Sequence, residues 1–366
     1  MSDWPRIPFR EEELEVAYTK PAHFMGPIVP IYHYPVSPKD GVRSALSRQP
    51  YFQICGIESD MFCPRCNPDN VARSFVLDGS EHKMGYNGDG RDMFGVQWEY
   101  IEEAMGCMVR PGHPLLEDMN EWPDKVVWPD VDSWDWEGNG KTSHEFLQRD
   151  TAVSCWLMNG WFERLISMME FENALMALND EDEQELIHQF FDKLTDLYID
   201  ILGRYIDTYD YLDGCSIHDD WGGQLDTFFP PALSREMIVP YMRRVTDYIH
   251  SRGLTAELHS CGQNLKQVPN YIEAGWDSWC PQAIVDSQKV YELYGDKILV
   301  GVDPKLDLTG KTDDEARQAA RDYVDSFMQP GKPCLLHSYT LNLLTDAFWE
   351  ELYVYSRKKG IEMAQA

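Results

Sequence analysis

The chain has 366 residues, is 43% apolar and 26% charged, and carries a formal net charge of −30. That composition can bury a substantial core, and its acidic field repels nucleic-acid phosphates and anionic membrane surfaces. No apolar run reaches membrane-spanning length, Met1-Ser2-Asp3-Trp4-Pro5-Arg6 opens without a basic-then-apolar leader, and nine scattered cysteines form no disulfide framework, so a cytoplasmic, reduced protein with neither nucleic acid nor membrane as partner is expected.

In chain order, residues 1–25 read as an N-terminal extension, and Pro27 to His33 is a candidate first strand. Residues 51–150 are rich in Pro, Gly, Asp and Trp with poor periodicity, and are read as an irregular insertion that wraps or caps the rest. Ala152 to Met158 is strand-like, and two long helical stretches follow, Trp161 to Leu178 and Asp180 to Tyr205. Gly214 to His218 is a short strand, Ser234 to Arg252 a helix, and Leu254 to Ser260 the next strand. Leu265 to Glu273, Trp276 to Pro281 and Ser287 to Tyr294 continue as helix, strand and helix.

Lys297 to Asp303 reads as a buried strand, and Asp313 to Met328 as a charged-faced helix with Thr312 as N-cap. Pro333 to Ser338 and Ala347 to Lys359 close the series, with Gly360 as a helix stop. Strand-helix units repeated at this spacing imply an α/β fold with a parallel sheet, doubly wound or closed into a barrel.

The richest local pattern is Glu257-Leu258-His259-Ser260-Cys261-Gly262. Side chains alternate along a strand, so Glu257, His259 and Cys261 share one face, and an imidazole beside a thiolate is a zinc-type ligand pair. By the same alternation Ser216, His218 and Asp220 share a face, and the Asp219-Asp220 pair at a strand end either supplies a general acid with a raised pKa or fixes a turn. Asp303, at the end of Gly301-Val302-Asp303, carries the same two readings. Trp221, Tyr339 and His33-Tyr34 fall at predicted strand ends, where aromatic rings suit an aromatic substrate. Cys63-Pro64-Arg65-Cys66 lacks the second CxxC of a zinc ribbon, and the series Trp122, Trp128, Trp134, Trp136 is read as packing.

From about residue 26 onward the chain resembles the uroporphyrinogen decarboxylase superfamily, which includes zinc- and corrinoid-dependent methyltransferases. The resemblance is carried by Asp219-Asp220-Trp221-Gly222, Leu258-His259-Ser260-Cys261-Gly262, Glu273-Ala274-Gly275-Trp276-Asp277, and Tyr294-Gly295-Asp296-Lys297-Ile298 through Gly301-Val302-Asp303. It implies a (β/α)8 TIM barrel over residues 26–366, with chemistry at the C-terminal strand ends. The decarboxylase signature after the first strand is arginine-rich, whereas this chain has Ile31-Tyr32-His33-Tyr34-Pro35-Val36-Ser37, so a polycarboxylate porphyrinogen is not its expected substrate.

The methyltransferase branch has a zinc motif of H-x-C followed by a distant cysteine. His259 and Cys261 match the first two ligands; Tyr339 stands where the cysteine belongs, with His337 favoured over Cys334 as a substitute and Glu257 as a further ligand. The resemblance implies a methyltransferase carrying a methyl group from a small-molecule methyl donor, a methoxylated aromatic, to the Co(I) of a corrinoid protein. Zn2+ acts as Lewis acid, Asp220 as proton source, and the chain as a homodimer. Transfer from the methylcorrinoid to a thiol or pterin, and a non-catalytic corrinoid-handling module, are the competing readings.

Overall fold

The computed structural model describes residues 7–21, 27–81, 90–102 and 106–364; the opening hexapeptide read above for a leader lies outside them. An N-terminal ribbon pairs β1 (Val16–Pro21) with β2 (Ile28–Tyr32), followed by α1 (Pro38–Leu46), β3 (Ser59–Phe62) and α2 (Pro68–Ala72). Next come β4 (Gly90–Arg91), β5 (Gln97–Ile101), β6 (Gly106–Val109), α3 (Trp122–Lys125) and α4 (Trp136–Leu147). The strand-helix series runs β7 (Ala152–Leu157), α5 (Trp161–Asn179), α6 (Glu181–Thr208), β8 (Gly214–His218), α7 (Pro231–Met237), α8 (Val239–Ser251), β9 (Thr255–His259) and α9 (Val268–Glu273). It ends with β10 (Ser278–Trp279), α10 (Ser287–Tyr294), β11 (Leu299–Val302), α11 (Asp313–Phe327), β12 (Leu335–Leu336) and α12 (Asp346–Met363).

The chain divides into two compact units, one of Met1–Asp60, Asp150–Ala152 and Asp277–Ala366, the other of Met61–Arg149 and Val153–Trp276. In the first, β10, β11 and β12 are parallel, and α11 packs on α12. Tyr32, Phe52, Ile54, Leu299 and Tyr353 form an apolar cluster there, with the Tyr34 ring tilted against Phe52 and Tyr353. Thr312 caps α11 as expected, its hydroxyl accepting from the Glu315 N–H while the Glu315 carboxylate accepts from Thr312.

In the second unit β7, β8 and β9 are parallel and in register, Trp156 beside Ser216 beside Glu257 and His218 beside His259. Alternation gives this sheet two unlike faces. Cys155, Cys215 and Ala256, then Leu157, Ile217 and Leu258, are buried on one face. The other carries Trp156, Ser216 and Glu257 in one layer and the two histidines in the next, with Ser216 Oγ donating to Glu257 over 2.7 Å. A separate three-stranded antiparallel sheet, β4-β5-β6, packs Trp98 and Cys107 against Ala72.

Three expectations are corrected. Pro27 to His33 is a strand, but β2 pairs antiparallel with β1 as a ribbon and does not start the parallel series; an isolated apolar run fixes a strand without fixing its partner. Gly360 does not stop the last helix: it sits inside α12, where the carbonyls of Pro50 and Tyr51 press so close that a Cβ would meet them at 2.8 and 2.6 Å. The stretch read as one helix from Ser234 breaks at Ile238 into α7 and α8, with Pro240 in the first turn of α8.

The tryptophans of the insertion are packing residues. Trp122 and Trp128 meet Phe190 of α6, and Trp136 meets Tyr205 of the same helix. No helix among the described residues is long and apolar enough to cross a membrane.

Candidate metal centre at the ends of β8 and β9

The polar residues of the second unit gather where β8 and β9 end. His218 and His259, neighbours in register, stack their rings with centroids 4.5 Å apart. His259 Nε2 lies 3.2 Å from Cys261 Sγ, and the Cys261 N–H donates to Asp220 Oδ1 over 2.6 Å. His218 Nε2 is 3.9 Å from the same Asp220 oxygen. Among the described residues, His218, Asp220 and His259 each offer one ligand atom within 4.8 Å of the others. The loop is shaped by Gly262, at φ 94°, whose backbone presses on that of Gly222; a side chain there would collide with the Gly222 carbonyl.

A second layer holds the imidazole. His218 Nδ1 is 2.5 Å from Glu163 Oε2, and Glu163 is paired with Arg73 at 3.1 Å. Arg73 also donates to Asn159 Oδ1 over 2.9 Å and lies over the Trp98 ring. Burial alone would lower the His218 pKa, but the Glu163 and Asp220 carboxylates outweigh it and the net shift is upward. No sequence pattern singles out Glu163, Asn159 or Arg73. Asn159 and Glu163 do follow directly on a predicted strand, at Met158-Asn159-Gly160-Trp161-Phe162-Glu163, which is the position where barrel chemistry is sought.

The two aspartates part company. Asp219 is fully buried, and its carboxylate accepts from the N–H groups of Trp161, Phe162 and Glu163 and from Trp221 Nε1. It therefore caps the first turn of α5, beside Gly160, where any Cβ would collide with it. Burial, then the Glu163 carboxylate, push its carboxyl up to about 7. Asp220 keeps 31% of its side-chain surface accessible. Burial pushes it upward, but His218 and His259, the Cys261 N–H and Arg73 together hold it below the usual carboxylate range. The sequence reading makes Asp220 the proton source; the structure sets it beside two imidazoles, accepting from the Cys261 N–H.

Trp221 is fully interior, packed on Phe229 and Tyr271 with its N–H on Asp219, so its ring offers no wall to a ligand. The half-buried indole at this end is Trp156, 5.6 Å from the His259 ring, a residue the sequence did not single out. Glu257 lies one layer below the histidines.

His33, Tyr34, Asp303, Cys334, His337 and Tyr339 belong to the first unit. His33 is exposed, with its N–H donating to Glu15, and Tyr34 donates to Glu58. Asp303 accepts from the Lys305 N–H, and Cys334 is buried against Gln53 and Tyr323. His337 meets the Tyr339 ring edge-on at 5.3 Å. Cys63 is fully buried, and the half-buried Cys66 has its Sγ 3.5 Å from the Tyr209 hydroxyl.

The donor set fits a zinc ion. Bond lengths to nitrogen, oxygen and sulfur near 2.0–2.3 Å imply separations of about 3.3–3.7 Å between tetrahedral ligands; His259 and Cys261 stand 3.2 Å apart, His218 and Asp220 3.9 Å, and His218, Asp220 and His259 within 4.8 Å of one another. Burial, followed by the Asp220 and Glu163 carboxylates, pushes the Cys261 thiol far up, so a cation must displace its proton on binding.

Parallel strands followed by helices, with polar side chains massed at the C-terminal ends of β8 and β9, give the chain an α/β fold of the barrel type. The sequence model of uroporphyrinogen decarboxylase (URO-D) matches residues 158–336. Among solved structures, a methyltransferase from Methanosarcina mazei is similar with a TM-score of 0.57 at 15% identity, covering 88% of this chain and 99% of its own. The spore cortex-lytic enzyme SleL of Bacillus megaterium QM B1551, at 10% identity over 53% of this chain and 42% of its own, and dispersin B, at 9% over 82% and 83%, each reach only 0.25 and bear on nothing further. No curated protein matches the sequence. Residues 158–336 thus resemble the uroporphyrinogen decarboxylase family in sequence, and the chain shares the fold of that methyltransferase.

Proposed function

We propose that the chain is a methyltransferase that takes the methyl group of a methoxylated aromatic compound and delivers it to the Co(I) of a corrinoid carried by a separate protein. The observation that carries this reading is the cluster of His259, Cys261, His218 and Asp220 at neighbouring strand ends, a nitrogen, sulfur and oxygen donor set with Glu163 behind it. The likeness to a methyltransferase fold supports it. When bound at His259 and Cys261, zinc supplies a Lewis acid for the ether oxygen of the donor.

The chain's own residues do the positioning. Glu163 accepts from His218 Nδ1 and fixes the ring plane, and Arg73 fixes Glu163. The Cys261 N–H holds Asp220 as an oriented anion beside the imidazoles. Trp156 offers a flat surface next to His259 against which an aromatic donor can lie. The acidic chain disfavours polyanionic donors, which suits a donor bearing little charge.

The test mixes the protein, a methoxylated aromatic and a corrinoid protein reduced to Co(I), and follows methylation of cobalt by its visible spectrum. Methylation that needs all three components supports the reading. Demethylation at the same rate without corrinoid overturns it, and methyl transfer only from a methylated corrinoid to a thiol reverses the direction assigned.

A further inference from the structure

We propose that the cation in this chain is held between the ends of β8 and β9, with His218 Nε2 and the Asp220 carboxylate as ligands beside His259. The inference rests on the metal-dependent reading above and deepens it by naming the remaining ligands.

Three observations lead there. The first is proximity: one ligand atom from each of His218, Asp220 and His259 lies within 4.8 Å of the other two. The second is the allocation of the imidazole nitrogens. Glu163 occupies His218 Nδ1 at 2.5 Å, which leaves Nε2 as the nitrogen with a lone pair to offer, and Nε2 is the atom that faces Asp220. A histidine aligned by a carboxylate on its far nitrogen is the usual support of a metal-bound imidazole. Here the support is itself anchored, since Arg73 bridges Glu163 and Asn159, and Asn159 Nδ2 donates to Asp69.

The third observation is charge. Glu163, Asp219 and Asp220 crowd one strand end with Arg73 as the guanidinium among them. A divalent cation between His218, Asp220 and His259 offsets that excess where the Asp220 side chain remains 31% accessible. Two imidazoles and one carboxylate fill three positions of a tetrahedral ion. Cys261 Sγ, 3.2 Å from His259, stands at the edge of this set. Glu163 is a positioning residue here, acting through His218.

The experiment measures Zn2+ affinity by competition with a chromophoric chelator for the wild-type protein, His218→Ala, Asp220→Asn and Glu163→Gln. The visible spectrum of each Co2+-loaded protein is a second readout. We expect His218→Ala and Asp220→Asn to lose about 100-fold or more in affinity, with altered cobalt bands. Glu163→Gln should lose about 10–100-fold. Asp220→Asn keeps the shape and the acceptor for the Cys261 N–H, so it remains folded if His218→Ala does not. Wild-type affinity in both His218→Ala and Asp220→Asn, with loss in His259→Ala, overturns this inference and leaves the methyltransferase reading standing. Tight binding that depends on His218 and Asp220, in a protein that methylates no corrinoid, does the reverse.

Discussion

Two clusters of the second unit bring carboxylates and cations together and treat them differently. In one, Arg164 donates to both Asp69 and Asp92, and all three side chains are at most 1% exposed. Asp92 further accepts from the N–H groups of Phe94 and Val96 and from Trp98 Nε1, and Asp69 from Asn159 and the Met93 N–H. In the other, at the ends of β8 and β9, Arg73 reaches Glu163 alone among the carboxylates by ion pair and Asp220 stays partly open. A cluster sealed from solvent has no edge at which to take a ligand. One that keeps a carboxylate at an accessible edge beside two imidazoles invites a cation.

The contrast is broken most severely by removing the cation from the closed cluster. Arg164→Met leaves two buried carboxylates without their partner, and we expect a loss of about 3–5 kcal/mol in denaturant melts. A loss below about 1 kcal/mol would mean that water or a shifted side chain already satisfies Asp69 and Asp92.

The reverse case is His259→Ala. It should abolish zinc binding and lower methyl transfer by about 100-fold or more, beyond the effect of a supporting residue. The metal-free protein should melt within about 1 kcal/mol of wild type, because the ring is half-buried and serves the open cluster.

A buried carboxylate with no guanidinium sharpens the comparison through pH. Glu58 of the first unit accepts from the Cys55 N–H and the Tyr34 hydroxyl, and burial raises its pKa above the ordinary glutamate value despite Lys20. The folded state therefore keeps this proton to higher pH than the unfolded chain does. Its contribution is fully present below the unfolded value of about 4.3 and is lost as pH rises through the folded one. We expect Glu58→Gln to flatten that decline in melts taken at stepwise pH. An unchanged slope would place its origin elsewhere. The smallest effect belongs to the exposed pair Arg235–Glu273, where Arg235→Ala should change stability by less than about 0.5 kcal/mol.

The parallel strands were legible in sequence because strand alternation and flanking glycines are local signals. Gly214 to His218 was read with the bounds it has, and Leu254 to Ser260 within one residue at each end. His259 and Cys261 were legible as a pair for the same reason. Glu163 was not, because its partner His218 is 55 positions away and a glutamate in a helix's first turn has an ordinary capping role to play. The sequence presents Asp219 and Asp220 as a pair that supplies a general acid or fixes a turn, and alternation sets Asp220 on the face of His218. What the sequence lacked was the helix start that Asp219 turns toward. The ribbon of β1 and β2 escaped for a related reason: pairing partners are a tertiary choice, which an apolar run does not encode.

Gly160 ties these observations together. Its N–H donates to the His218 carbonyl, Asp219 pins the turn that begins beside it, and Glu163 of that turn reaches back to the His218 ring. The strand end and the helix start therefore form a closed mechanical linkage, with one rigid arm leaving through Asp219 and another returning through Glu163. Such a linkage has no slack. A side chain added at position 160 displaces the helix, carries Glu163 with it and turns the imidazole, so a residue that touches no ligand governs the aim of one that does.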